Sequence, residues 1–312
     1  PFLAQIHMLP RPVLDFGDPG VNRIFKLMIP ALFGVSVGQI NLLLDTVIAT
    51  FLPSGSVSWL YYSDRLMELP LGVFGVAIAT VALPNLSRQR FNENPEGFGD
   101  MLIWSIRMVV VIGLPATVAL ILLADPILIT LFQSAQMHSS DIAMASLSLK
   151  AYAIGLLAFM LVKVLATGYF AREDTKTPVR IGIYAMVTNM VLNIIFVLLF
   201  HHFWQIGHVG LALATSGSAC LNAWLLYRGL RVAEKIPSLR ILKGFAIQVL
   251  VGIGLMSAVL VFANSSWQGW SDWDVWSRVW RVLVLCIGGA GCYFLGLYLS
   301  GLRVKDFKMH SA

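Results

Sequence analysis

Eight long apolar stretches alternate with short polar ones along these 312 residues. A helix needs roughly 20 apolar residues to cross a hydrocarbon core of about 30 Å. The stretches lie near 27–52, 57–84, 102–124, 143–170, 179–200, 209–230, 241–263 and 277–300. The pattern predicts an all-α fold, a polytopic membrane helix bundle with eight transmembrane helices. The breaks between them are short. Pro53-Ser54-Gly55-Ser56 reads as a tight hairpin, and 86–101, with Asn92, Asn94, Pro95, Gly97 and Gly99, reads as a polar, flexible loop. Asp125-Pro126 reads as an N-cap followed by proline at the first helical position, opening a short helix on the membrane surface. The charged run Ala171–Thr177 ends on Pro178, which can start the next span.

Composition agrees: 58% of the residues are hydrophobic and 12% charged, about half the charged share of a soluble domain. The charges also give an orientation. With eight spans both ends share a side, and that side holds almost every basic residue, from Arg11 and Arg23 through Arg88, Arg172, Arg228 and Arg240 to Arg303 and Lys308. The opposite loops hold Arg278 and Arg281. Basic loops stay in the cytoplasm during insertion, so both ends are expected there. This asymmetry accounts for the net charge of +6. A nucleic-acid partner would need a clustered basic face, and these charges are spread over five short loops.

Trp59, Trp204, Trp267, Trp270, Trp273, Trp276 and Trp280 fall near the outer boundary and Trp104 and Trp224 near the inner one, as indole anchors do. Cys220, Cys286 and Cys292 read as buried free thiols inside spans. His201, His202 and His208 read as solvated in a short outer loop. No metal spacing, glycine-rich phosphate loop or nucleophile–base pattern is present, so the chain reads as no enzyme and no resident cofactor is implied.

The chemistry lies in residues that a membrane penalises. The second span holds Asp64, Arg65 and Glu68, with Pro70 within a turn. Arg65 lies about 12 Å below the outer boundary, deep for a side chain to reach water along the helix. Arg65 paired with Glu68 or Asp64 would glue helices together. Alternatively, Arg65 lines a cavity that takes an anionic substrate, and a planar guanidinium suits phosphate. Ser63, Asp64, Arg65 and Glu68 are the substrate-binding candidates. Asp45, Asn193 and Thr215 lie at similar depths, about 9–10 Å from the outer ends of their spans, with Asn189 one turn from Asn193. Their oxygens would suit a hard cation such as Na⁺; the same residues would equally serve as interhelical hydrogen-bond partners. Lys150 and Lys163 can each extend to an interface.

The character of the chain changes after residue 240. The last two spans carry Gly252, Gly254, Gly288, Gly289, Gly291 and Gly296. Small residues permit close helix packing, or leave a shallow groove for an acyl chain.

The run Trp59-Leu60-Tyr61-Tyr62-Ser63-Asp64-Arg65-Leu66-Met67-Glu68-Leu69-Pro70-Leu71-Gly72, continuing through Gly75 to Leu83-Pro84-Asn85-Leu86-Ser87, resembles the MurJ (MviN) lipid II flippase family. Gly168–Pro178 resembles that family's inner loop, a stretch shared more loosely with related exporters. The resemblance implies fourteen helices in the whole protein: two six-helix lobes and a C-terminal pair. This chain would then comprise a lead-in at 1–21, the second lobe at 22–231, and the extra pair with a cytoplasmic tail at 239–312, without the N-terminal lobe. It implies a bacterial cytoplasmic (inner) membrane protein moving lipid II, an undecaprenyl-diphosphate-linked disaccharide-pentapeptide, between leaflets by alternating access. Arg65 would be the second lobe's cavity arginine. Coupling would use Na⁺, H⁺ or the membrane potential, worth ~2.3 kcal/mol per charge per 100 mV. An exporter of other lipid-linked oligosaccharides or drugs would share the lobe but lack the Ser63–Leu71 run. A non-transporting membrane scaffold would bury Asp64, Arg65 and Glu68 as dry pairs.

Overall fold

The computed structural model describes residues 18–133, 137–233, 243–267 and 269–303. Ten α-helices make up the described residues: α1 Pro19–Thr50, α2 Ser56–Pro70, α3 Val76–Phe91, α4 Pro95–Leu122, α5 Ala124–Phe132, α6 Ser139–Phe170, α7 Lys176–Trp204, α8 Gly207–Ala233, α9 Lys243–Ser266 and α10 Val275–Leu299. Among the described residues, seven segments are long and apolar enough to cross a membrane: Ser56–Phe91, Pro95–Leu122, Ser139–Phe170, Lys176–Trp204, Gly207–Ala233, Gly244–Ser266 and Val275–Leu299. The chain is thus an all-α, multi-pass membrane bundle. The first predicted span, 27–52, falls on α1, a helix of 32 residues. The lead-in before residue 18, the boundary near 239 and the tail beyond 303 lie outside the described residues.

Local chemistry moves several predicted boundaries. The loop expected over 86–101 shrinks to 92–94, because Asn94 accepts from Gly97 N at 3.0 Å and Pro95 takes the first helical position. Asp125 is not a cap: α5 begins at Ala124, which frees the Asp125 carboxylate for a longer contact. Asp141 reaches back to His138 N at 3.1 Å and starts α6 at Ser139, earlier than hydropathy alone placed it. The expected outer loop at 201–208 is also mostly helical. His201 and His202 close α7 and His208 opens α8, so His208 is buried, with Nε2 3.3 Å from Met144 O and its ring beside Trp59. Asp274 caps α10 by accepting from Ser277 N and Oγ, and these bonds hold its carboxyl below the usual carboxylate range.

The second predicted span is bent. Pro70 has no N–H to donate, α2 ends on it, and Leu71–Gly75 form a π-helical turn before α3 continues. π turns lengthen a helix by an extra residue and re-aim what precedes them. Here the segment before the bend carries Asp64, Arg65 and Glu68.

At the centre stands α6, which packs against α2, α3, α4, α5 and α8. Its Ala145, Ser148, Ala151 and Gly155 are small, so neighbouring backbones come close. A Cβ on Gly155 would sit 2.8 Å from the Ser216 Cα, and Ser216 Oγ donates to Ala151 O at 2.8 Å. In lipid, where helix association gains little from apolar burial, such close approach and hydrogen bonding hold the bundle together. On the other side of α8, α7 packs closely, and α1 lies against α7.

The glycines of the last two helices divide into two sets. Gly252, Gly289 and Gly296 sit where α9 meets α10: a Cβ on Gly296 would lie 2.7 Å from the Gly252 Cα. Gly254, Gly288 and Gly291 face outward with nothing within 4 Å. The pair docks on α4 and α5 through Leu123, Val249, Leu260, Leu285 and Tyr293, with Tyr293 Oη donating to Val111 O at 2.7 Å. The three cysteines are free, as expected, but Cys220 and Cys286 lie on exposed helix faces rather than buried ones. A lipid-facing surface is as apolar as a core, so a thiol there has no need of protein cover.

Candidate functional site

Two polar groups interrupt the apolar helices, one on α2 and one where α1, α7 and α8 meet. On α2, Arg65 Nη1 donates to Glu68 Oε2 at 2.5 Å, and its guanidinium lies 5.2 Å from the centre of the Tyr61 ring. All three residues lie on one face of the same helix, as their spacing of three to four residues dictates. The Arg65 and Glu68 side chains are 49% and 48% exposed on the chain's own surface. Asp64, one position before Arg65, is half-buried. Ser63 does not join this face. It is fully buried, and its Oγ contacts Trp59 O and Ala145 O at 2.7 Å each, fastening α2 to α6. The sequence ranked Ser63 with its neighbours, but a residue two positions before Arg65 points to the other side of a helix.

The second group is held between helices. Asp45 is buried on α1. It accepts from Asn193 Nδ2 of α7 at 2.6 Å and from Thr215 Oγ1 of α8 at 3.2 Å. Asn189 joins both partners, contacting Thr215 Oγ1 at 3.2 Å and Asn193 Nδ2 at 2.9 Å. The amide orientation of Asn189 depends on this network; turned over, it donates to Asn41 Oδ1 at 2.9 Å and to Asp45 Oδ1 at 3.2 Å. Asn41, which sequence reading missed, lies one turn before Asp45 with Nδ2 3.4 Å from Asp45 Oδ2. The i, i+4 spacing to a membrane-embedded acid was the signal for it. Asn193 Oδ1 is buried without a partner, and such an atom calls for an explanation. As they stand the Asn193 amide and the Thr215 hydroxyl donate to the carboxylate, an interhelical hydrogen-bond network; only with amide oxygen turned inward would the group offer the oxygen donors that suit a hard cation.

The two groups sense each other. Asp45 and Asp64 are close enough to interact electrostatically, and the buried Tyr152 of α6 lies within the field of both. The lysines separate: Lys150 Nζ donates to Asp125 Oδ2 at 2.9 Å, tying α6 to α5, while Lys163 is exposed. Lys150 thus ends on a carboxylate, a pairing between positions 25 apart that local pattern could not show.

A family model described as "Lipid II flippase MurJ" matches residues 1–283. The chain is 49% identical over 308 residues to a "Probable lipid II flippase MurJ" of Vibrio cholerae, covering 99% of the chain and 58% of that relative. It is 34% identical over 316 residues to the "Lipid II flippase MurJ" of Burkholderia cenocepacia, covering 99% and 60%. It therefore spans less than two thirds of the length of these relatives. Among solved structures, "Lipid II flippase MurJ, inward closed conformation" superposes with a TM-score of 0.69 at 25% identity, over 96% of this chain and 58% of that one. An outward-facing multidrug resistance transporter of the MATE family superposes with a TM-score of 0.56 at 19% identity, over 93% and 67%.

Proposed function

Because the chain belongs to the lipid II flippase MurJ family, we propose that it forms the second lobe and C-terminal helix pair of a flippase that carries lipid II across the bacterial inner membrane. The family is one of transporters rather than enzymes. In this reading the chain crosses the membrane eight times, α1 supplying the first crossing, and the six helical spans over 22–231 face an N-terminal lobe across a cavity.

One observation carries the reading. Arg65 and Glu68 form an ion pair within a single helix, half exposed, well inside a membrane-spanning segment. An ion pair facing hydrocarbon there is costly, so such residues face a bundle interior or a water-filled cavity. Among the described residues the pair lies within one helix and bridges no two, which favours the cavity over interhelical glue. A diphosphate crossing the bilayer must lose water and needs compensating charge. Arg65 supplies it, and Glu68 and Tyr61 hold the guanidinium in place until the substrate arrives. The bend at Pro70 and Leu71–Gly75 lets the segment tilt as access alternates.

Cysteines placed at 63, 65 and 68 test the cavity. A membrane-impermeant maleimide should react quickly at 65 and 68 and very slowly at the buried position 63, with added lipid II protecting 65. Failure of both 65 and 68 to react from either side of the membrane would sink the proposal.

Orientation has its own test. Reporter fusions after Ser139 and after Gly269 should report from the periplasm, and one after Asp174 from the cytoplasm. A cytoplasmic signal after Ser139 would reverse the assignment.

A further inference from the structure

Between α9 and α10 the chain turns through Trp267, a 3-10 turn at Trp270–Asp272, and Trp273. The indoles touch in sequence: Trp267 and Trp270 rings are 6.5 Å apart and Trp270 and Trp273 rings 5.2 Å apart. Two arginines one turn apart on α10 enter this cluster. Arg281 stacks on Trp273, 3.1 Å from the ring centre, and lies 5.5 Å from that of Trp267. Arg278 is 8% exposed and donates Nη2 to Ser271 O at 2.7 Å, between Trp270 and Trp273.

The cluster holds donors without acceptors. Arg278 Nε, Arg281 Nη1 and Trp270 Nε1 are all buried and unpartnered. Neither arginine forms an ion pair among the described residues. Asp274 is occupied in capping α10, and Asp272 in the same turn makes no ion pair with either. Two like charges three residues apart repel, and buried charge without a counter-charge is rare in native proteins. Stacking on indoles compensates a guanidinium only in part. Arg281 is only half-buried. The exposed Trp276 and Trp280 flank the pair on α10 and mark the depth as the membrane boundary, where phosphates lie.

We propose that Trp270, Arg278 and Arg281 form a binding site for the anionic phosphate of a glycerophospholipid headgroup, set at the membrane boundary where α9 turns into α10. The guanidinium fork and the indole N–H suit the phosphate oxygens. The glycerol and acyl chains lie along the outer, glycine-bearing face of the helix pair. The site is separate from the α2 cavity face and does not depend on what is transported.

Native mass spectrometry of the detergent-purified protein, titrated with phosphatidylglycerol and with phosphatidylcholine, tests this. Phosphatidylglycerol should be retained in preference to phosphatidylcholine. The Arg278→Gln/Arg281→Gln double variant should lose retention on the order of tenfold, the loss of one or two charge-assisted contacts. Arg228→Gln, at the opposite membrane boundary, should retain it as wild type does. Equal retention by the double variant overturns the site. Displacement of phosphatidylglycerol by millimolar inorganic phosphate would identify a free-anion site instead. Displacement by undecaprenyl diphosphate at lower concentration than phosphatidylglycerol would assign it to the transported lipid. Either result rejects the proposal as stated. Should the double variant fail to insert, Trp270→Phe removes one buried donor and leaves both charges, and should lower retention by a smaller factor; the wild-type competitions need no variant.

Discussion

Arg65→Ala is expected to abolish growth in cells that depend on this protein for cell-wall precursor, with expression and membrane insertion unchanged. The expectation follows from where the residue sits. Among the described residues its side chain contacts Glu68 and Tyr61, both on its own helix, so removal loosens no helix from another. On the proposed reading, what is lost is a charge-assisted, two-pronged contact to a diphosphate in a partly dry cavity, worth about 2–5 kcal/mol. That is a factor of tens to thousands in affinity. Arg65→Lys keeps the charge but not the fork and should rescue only in part. The deciding measurement is the Arg65→Ala/Glu68→Ala double variant. If Arg65 serves only to neutralise Glu68, removing both leaves no uncompensated carboxylate and growth should return. If Arg65 binds substrate, growth stays lost. Recovery of the double variant would falsify the substrate-binding role.

The fold was legible because lipid enforces a simple code. Spans of about 20 apolar residues are helices, since no other open structure satisfies its backbone in hydrocarbon. What hydropathy could not show is where helices end, because caps are local hydrogen-bond chemistry. Asn94 and Asp141 moved two helix starts by several residues, and a helical register carried His208 from an expected loop into the core. The site was partly legible for a related reason. Polar residues in a span announce themselves one by one, and depth counting put Asp45, Asn193 and Thr215 at one level. Their joining needed the packing of α1 against α7 and of α7 against α8, which sequence depth does not contain. Ser63 shows what adjacency leaves out: it was named with Asp64 and Arg65 as a substrate-binding candidate, and the helix turns it into the interface with α6. Arg278 and Arg281 were visible as a charge exception on one side of the membrane. The burial of Arg278 and the stacking of Arg281 on two indoles were not, because they depend on the turn between the last two helices.

Sodium should raise the unfolding temperature of the wild-type protein more than an equal concentration of choline, and Asp45→Asn should remove that increment. A ligand that binds only the folded state stabilises it by about 2.7 kcal/mol at 100 times its dissociation constant, a shift that detergent-phase melting can resolve. Asp45→Asn suits the test because it keeps size and an acceptor oxygen. The Asn193 amide and the Thr215 hydroxyl, which now point at the carboxylate, retain a partner, so the fold is expected to survive in choline. Asp45→Ala is the harsher change. It removes the acceptor of one N–H of the buried Asn193 amide, whose other bond goes to Asn189 Oδ1, and should cost about 1–3 kcal/mol whether or not a cation binds. The comparison between the two separates packing from ligation. For a cation to enter, the Asn193 amide must present oxygen to the carboxylate where it now presents N–H, and its Oδ1 is unpartnered; Asn189 needs no change, because its turned-over orientation is the one that donates N–H to Asp45. Asn193→Ala should therefore weaken the sodium increment while leaving the Asp45 side chain in place. If sodium and choline stabilise the wild type equally, there is no cation site, and Asp45 is a helix-pairing acid or a proton carrier. Transport activity of Asp45→Asn then distinguishes those two, since a pairing acid tolerates the amide and a proton carrier does not.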